Sequence, residues 1–195
     1  MIRSRLVLTA PFATLALAGC GVNAIPTAEE NAKAKWADVE NQYQRRADLV
    51  PNLVATVKGY ATHEQSTLEG VTNARAKATS VTLNADDLSD PAKVKAFQDA
   101  QNQLSGALGR LLAVQEAYPD LKANEQFVAL QSQLEGTENR IAVARSDYNQ
   151  AVQDYNTRIR TFPDAIGAKL IYGAKPITPF KATAANAEEA PKVSF

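Results

Sequence analysis

The chain has 195 residues, 21 basic against 21 acidic side chains, 45% hydrophobic residues, one histidine and one cysteine. That balance excludes a nucleic-acid binder held by net positive charge, and a single cysteine excludes an intrachain disulfide. The length suits one domain with a real core, and the few glycines and long proline-free stretches favour an all-α fold.

The first twenty residues read as an export address. Arg3 and Arg5 precede a mainly apolar run, Leu6 to Ala18, with no acid before Cys20. As a helix that run would measure roughly 20 Å, short of a hydrocarbon core of about 30 Å. It closes on Leu17-Ala18-Gly19-Cys20, which resembles the lipobox of bacterial lipoproteins. There, small side chains admit the peptidase and the thiol takes the acyl chains. Residues 1–19 are therefore expected to be a lipoprotein signal peptide, and residues 20–26 a tether behind a lipidated Cys20. Two or three acyl chains hold a protein on a membrane where one does not. Gly21 in place of aspartate resembles the sorting pattern for transfer to the outer membrane, facing the periplasm. Without residues 1–19 the chain keeps two more acids than bases.

Thr27-Ala28-Glu29-Glu30 has the form of a capping box and predicts the first helix start. Trp36, Val39, Tyr43, Ala47, Val50, Leu53, Val57, Leu68 and Val71 then follow helical spacing that stays in phase across Pro51. Proline removes the N–H that would reach Ala47, so a kink within one helix or a turn between two is expected there. Asp48 stands ready to cap freed N–H groups, and Arg45 and Arg46 read as a solvated or salt-bridged face.

Ser80 to Ser89 loses the period and turns the chain, and Asp90-Pro91 predicts the cap and first residue of a helix running to about Ala117. Tyr118-Pro119-Asp120 turns it again. From about Asn124 to Phe162, Phe127, Leu134, Ile141, Tyr148, Tyr155 and Phe162 recur at heptad spacing, with Leu130, Thr137, Ala144 and Ala151 at the companion position. Ala165 to Tyr172 is too short to span a bilayer and is expected to fold back on the bundle. The domain is thus set at residues 27–174, a long-helix up-and-down bundle of about four helices. Residues 175–195, rich in Ala, Pro and charge, are expected to be a disordered tail.

No nucleotide-binding glycine loop, nucleophile elbow or zinc-protease motif occurs, so a non-enzymatic protein without cofactor or metal is expected. His63 and Glu64 are the residues a ligand or metal would use, but a lone histidine is more often a surface or interhelical hydrogen-bonding group. Arg75, Arg110, Glu116, Glu138 and Arg145 read as interhelical ion-pair residues. Tyr148-Asn149 and Tyr155-Asn156, one heptad apart, read as seam tyrosines flanked by asparagines rather than a ligand box.

Three blocks, RRADLVPNLVATVKGYATHE, ALGRLLAVQEAYPDLKAN with QFVALQSQLEGTENRIAVAR, and YNQAVQDYNTRIRTFP, resemble in order and spacing the LemA family of bacterial membrane-attached proteins. The resemblance covers Trp36 to Pro163. It implies a bundle of roughly four helices outside the cytoplasm, one each side of the Pro51 bend, and no catalytic residue. Relatives usually carry an amino-terminal transmembrane helix where this chain carries a lipobox. The expected role is an envelope lipoprotein whose bundle is an interaction or scaffolding module, with Arg45, Arg46, Asp48, His63, Glu64, Arg110 and Arg145 as polar interaction or structural sites. Its partners would be the membrane, an unidentified envelope protein and, if it self-associates, a second copy in a homo-oligomer. The alternative is a small-ligand- or metal-binding accessory of envelope proteolysis or signalling.

Overall fold

The computed structural model describes residues 23–181. The expected signal peptide at residues 1–19, Cys20 and residues 182–195 lie outside them. Four long helices form the fold: α1 (Ala24–Tyr60), α2 (Gln65–Ser80), α3 (Pro91–Ala113) and, after a short α4 (Pro119–Lys122), α5 (Glu125–Arg158). A one-turn α6 (Asp164–Gly167) follows. No strand occurs among the described residues, and the all-α expectation holds.

The longest helices, α1 and α5, run antiparallel along each other, as their cross-links show: Lys35 meets Asp147, Arg46 meets Glu138 and Asn124 meets Tyr60. α2 folds back along the second half of α1, and α3 returns beside it. Asp90 caps α3 by accepting from the N–H groups of Ala92 and Lys93, with Pro91 at the position that needs no donor. Asn124 caps α5 by accepting from Phe127 N–H at 2.8 Å.

Several boundaries depart from the sequence reading. α1 starts at Ala24, so residues 24–26 are helix rather than tether, and the Thr27 hydroxyl donates to Asn23 O at 2.8 Å instead of forming a capping box. Ile25 is completely buried, and burying it is what draws the helix start towards Asn23. Pro51 lies inside α1 on its exposed side. That is the one-helix reading of Pro51; the turn that the sequence reading did not place falls at Ala61–Glu64, after Gly59, where α1 gives way to α2. Asp48 caps nothing, because an unbroken helix frees no N–H there; it accepts from Gln44 Nε2 at 2.8 Å. The end of α3 tightens into a 3-10 turn, Val114–Ala117.

A proline inside a helix leaves the carbonyl four residues back without its donor. Here that carbonyl, Ala47 O, receives Arg75 Nε from α2 at 2.8 Å. The sequence reading placed Arg75 in an ion pair; its job is to fill the gap that Pro51 makes and to bind α2 to α1 at that level.

The heptad reading of α5 holds for Phe127, Leu134, Ile141, Tyr148 and Tyr155, and for Leu130, Thr137, Ala144 and Ala151, all buried. It fails at Phe162, 82% exposed, because α5 ends at Arg158. The segment Ala165 to Tyr172 folds back only at Ala168, and Ile166, Leu170, Ile171 and Tyr172 face outward. Gly173, at φ 55°, then takes the left-handed backbone that a side chain disfavours and sends the chain up the bundle. Residues 175–181 are not a loose tail: Ile177 and Phe180 are buried in the core.

The Arg75 contact generates a prediction. Arg75→Met leaves Ala47 O without a donor and is expected to lower unfolding free energy by about 1–2 kcal/mol. In a Pro51→Ala background, the restored N–H at position 51 takes over and the same change costs about 1 kcal/mol less. Urea unfolding of the four proteins checks it; equal costs in both backgrounds would refute the account.

Candidate functional site

The core is two apolar clusters stacked end to end. One gathers Trp36, Tyr43, Phe97, Tyr148, Tyr155, Ile177 and Phe180; the other gathers Val50, Leu53, Leu104, Leu111, Phe127 and Leu134. Between them lies a polar layer holding Arg46, Gln101 and Thr137, the buried polar side chains among the described residues. Arg46 is 1% exposed, so of its two readings, a solvated or a salt-bridged face, the salt-bridged one holds, through Glu138 at 3.1 Å.

A buried guanidinium must spend its donors on fixed acceptors. Arg46 Nη1 donates to Ser105 Oγ at 2.6 Å and Glu138 Oε1 at 3.1 Å; Nη2 donates to Gln101 Oε1 at 2.6 Å and Gln101 O at 3.1 Å. Its Cζ lies 4.9 Å from the centre of the Tyr43 ring, a cation–π contact. Nε finds no acceptor among the described residues. Gln101 passes the network on, donating through Nε2 to Ala78 O on α2 at 3.1 Å. A cleft of about 290 Å³, lined by Tyr43, Ser105, Glu138 and Arg145, opens onto this layer. Burial pushes the Tyr43 hydroxyl above its usual range, against the pull of Arg145 and Arg46.

The second construction is a cradle for residues 175–181. Asn149 accepts from Phe180 N–H at 2.8 Å and donates to Phe180 O at 3.0 Å. One heptad on, Asn156 does the same for Ile177, at 2.9 and 2.7 Å. The Tyr148 hydroxyl donates to Thr178 O at 3.0 Å and that of Tyr155 to Lys175 O at 3.1 Å. Arg145 donates to Lys181 O at 2.8 Å and stacks its Cζ 4.8 Å from the Phe180 ring centre. These side chains thus read backbone, as a neighbouring strand would, while the strap's own Thr178 N–H pairs with Leu88 O at 2.9 Å.

The spacing explains the fit. Seven helical residues advance about 10.5 Å, and three residues of extended chain advance about 9–10 Å. Asn149 and Asn156 therefore meet Phe180 and Ile177 in step. Pro176 and Pro179, which have no N–H, occupy positions between the rungs where the cradle asks for none. The sequence reading put the tyrosines in the seam, where they are. It missed the asparagines' ligand, because nothing in the composition of the tail distinguishes a docked segment from a solvated one.

Of the other singled-out residues, Arg45, Asp48, His63 and Arg110 are exposed. Glu64 accepts from the Tyr118 hydroxyl at 3.3 Å. Glu116 pairs locally with Lys122 at 3.2 Å rather than between long helices. The structure brings Arg46, Glu138 and Arg145 around one cleft and leaves His63 and Glu64 in the α1–α2 turn. Among the described residues no three His, Cys, Asp or Glu side chains are grouped to hold a metal ion.

The model of the LemA family matches residues 35–195. The chain belongs to the LemA family. It is similar to magnetosome protein MamQ 2 of Paramagnetospirillum magneticum, 30% identical over 179 residues that cover 84% of this chain and 65% of that protein. Magnetosome protein MamQ of Magnetospirillum gryphiswaldense is 28% identical over 157 residues, covering 72% of this chain and 58% of its own length. Protein LemA of Metamycoplasma hominis is 28% identical over 119 residues, covering 61% and 50%. This LemA family member thus spans 65% or less of the length of these relatives.

Two predictions follow from the geometry of this LemA family member. Arg46→Met leaves the buried Gln101 without its donor, while the exposed Ser105 and the 40% exposed Glu138 turn to water, and is expected to cost about 1–3 kcal/mol, whereas Glu138→Gln costs under about 1 kcal/mol. Urea midpoints check the order, and a larger loss from Glu138→Gln would overturn the layer's assignment. The second concerns pH. Burial holds the Tyr148 hydroxyl above its ordinary range, so the fold favours its protonated form. That contribution is complete below the unfolded value of about 10 and is lost as pH rises towards the folded one. Tyr148→Phe is expected to be about 1 kcal/mol less stable than wild type at neutral pH. The gap should close as the pH is raised past about 10, and a constant gap would refute the burial argument.

Proposed function

We propose that this protein is a non-enzymatic lipoprotein of the cell envelope, anchored through Cys20, whose helical bundle serves as an interaction scaffold. The observation that carries the reading is where the polar chemistry is spent. Arg46, Arg75, Gln101, Asn149 and Asn156 each join one segment of the chain to another. Such groups stiffen a platform. The family membership and the likeness to magnetosome proteins support a place at a membrane, and the lipobox-like Leu17-Ala18-Gly19-Cys20 supports the manner of attachment. Gly21 favours the outer membrane, facing the periplasm.

The anchor is tested by mass and by label. The mature wild-type protein is expected to begin at an acylated Cys20 and to incorporate an alkyne fatty acid, and Cys20→Ser to incorporate none. A mature protein that retains residues 1–19 and takes no label overturns the lipid anchor. The scaffold is tested separately, by crosslinking in cells at native expression followed by mass spectrometry. A reproducible envelope-protein partner is expected; recovery of none defeats the interaction reading.

A further inference from the structure

The turn after α5 presents a group of side chains that the bundle does not use. Phe162 is 82% and Leu170 77% exposed, and Ile166, Ile171 and Tyr172 also face outward. Five large apolar residues within eleven positions are far more than the scattered exposed apolar side chains of an ordinary surface. Around them stand Arg160, Lys169 and Lys175, all exposed. The acid of this stretch, Asp164, is already engaged by Arg158 at 3.4 Å. The segment therefore exposes apolar and basic side chains together.

Its place in the fold says what covers it. Ile25, at the start of α1, is buried in the same apolar cluster as Ala168, and its Cδ1 lies 3.7 Å from where a Cβ on Gly167 would sit. The first described residues, 23 to 25, therefore lie beside this segment. Upstream, the apolar run Leu6–Ala18 and Cys20 are only a few residues away. Five extended residues from Ala18 reach at most about 18 Å. Whatever holds those residues at a membrane brings the bilayer within that distance of Asn23, at the end of the bundle where Ile25 packs beside Gly167 and Ala168. The opposite end of the bundle, at Val128, is about 45 Å away along α5.

We propose that Phe162, Ile166, Leu170 and Ile171 dock into the headgroup boundary of an anionic bilayer, a second membrane contact that stands the bundle upright on its anchor. The helix turn is too short to span, and among the described residues no helix is long and apolar enough to cross a membrane. It lies in the interface instead, apolar side chains into the acyl boundary and basic side chains among anionic headgroups. Lysine stems run along apolar surface while their ammonium groups stay with water and phosphate. The inference rests on membrane attachment of the amino terminus, proposed above.

The test uses the full chain reconstituted in vesicles of phosphatidylcholine and phosphatidylglycerol. Leu170→Cys and Val128→Cys, both at exposed sites, are each labelled with a polarity-sensitive fluorophore, beside the parent whose only thiol is Cys20. At position 170 the expected result is a blue-shifted emission, quenched several-fold by spin-labelled lipid, and at position 128 a water-like emission without quenching. Emission at 170 as water-like as at 128 overturns the docking. A blue shift without lipid quenching also overturns it, and assigns the surface to a second copy or another protein. Label entering the parent's Cys20 shows that the lipid anchor has failed. The quenching difference above the parent's signal, read in that same preparation, then still decides the docking.

Discussion

At one level of the bundle, two consecutive residues of α1 are tied to all three of the other long helices. Arg46 reaches α3 through Gln101 and Ser105 and α5 through Glu138, while the carbonyl of Ala47 takes Arg75 from α2. Gln101 closes the circuit by donating to Ala78 on α2. Apolar side chains on long helices slide past one another at small cost, because their contacts have no direction. A guanidinium with four acceptors does not. This level therefore sets the register of the helices, and the apolar clusters above and below pack in the frame it defines.

A buried charge of this kind is a poor source of net stability, since taking it out of water consumes most of what its partners return. Its value lies in exclusion. A slip of α1 by one helical turn against α3 would bring Val50 to Gln101 in place of Arg46 and leave the amide oxygen unpaired in the core, a penalty of about 1–3 kcal/mol. Glu138 is the outer member of the layer, with its side chain 40% exposed. The network therefore has one end in solvent and one end sealed beneath the Tyr43 ring. Pro51 fits the same logic. Its defect in the backbone is matched by a specific side chain on a neighbouring helix, so the irregularity serves as an address for Arg75.

Much of the architecture was legible because period and packing coincide. The heptad positions of α5 from Phe127 to Tyr155 are apolar or small where they face the core. Asp90-Pro91 states a helix start in two residues. What misled was a pattern with two readings. The spacing from Trp36 to Val71 remains in phase across the turn at Ala61–Glu64 as well as across Pro51, and the proline is the more conspicuous signal. A short turn between antiparallel helices leaves little trace when its own residues, such as Ala61, are also buried. Glu138 was legible as an interhelical ion-pair residue, and it pairs with Arg46; Gln101, Ser105 and Ala47 O were not, since they are backbone or side-chain atoms brought close to Arg46 and Arg75 only by tertiary packing. The docked strap was hidden for a related reason: its holding groups are on α5 and at Leu88, and its own sequence contributes only backbone carbonyls and three N–H donors.

The strap also carries a limit on length. A heptad rung rises slightly more than three extended residues, by roughly 1 Å on the figures for helix and extended chain. Two rungs tolerate that difference, whereas longer ladders accumulate it. The positions that would supply the next rungs on α5's heptad are Ala142 and Pro163, neither able to form the paired amide contact. The cradle is thus a short ruler with its ends marked. It measures a segment by where its backbone donors and acceptors fall, and by the apolar weight of Ile177 and Phe180, and is indifferent to the side chains in between. Side chains at positions 176, 178 and 179 are accordingly free to drift, short of a proline at 178, whose N–H pairs with Leu88 O, whereas insertion or deletion of a single residue between Ile177 and Phe180 is not tolerated.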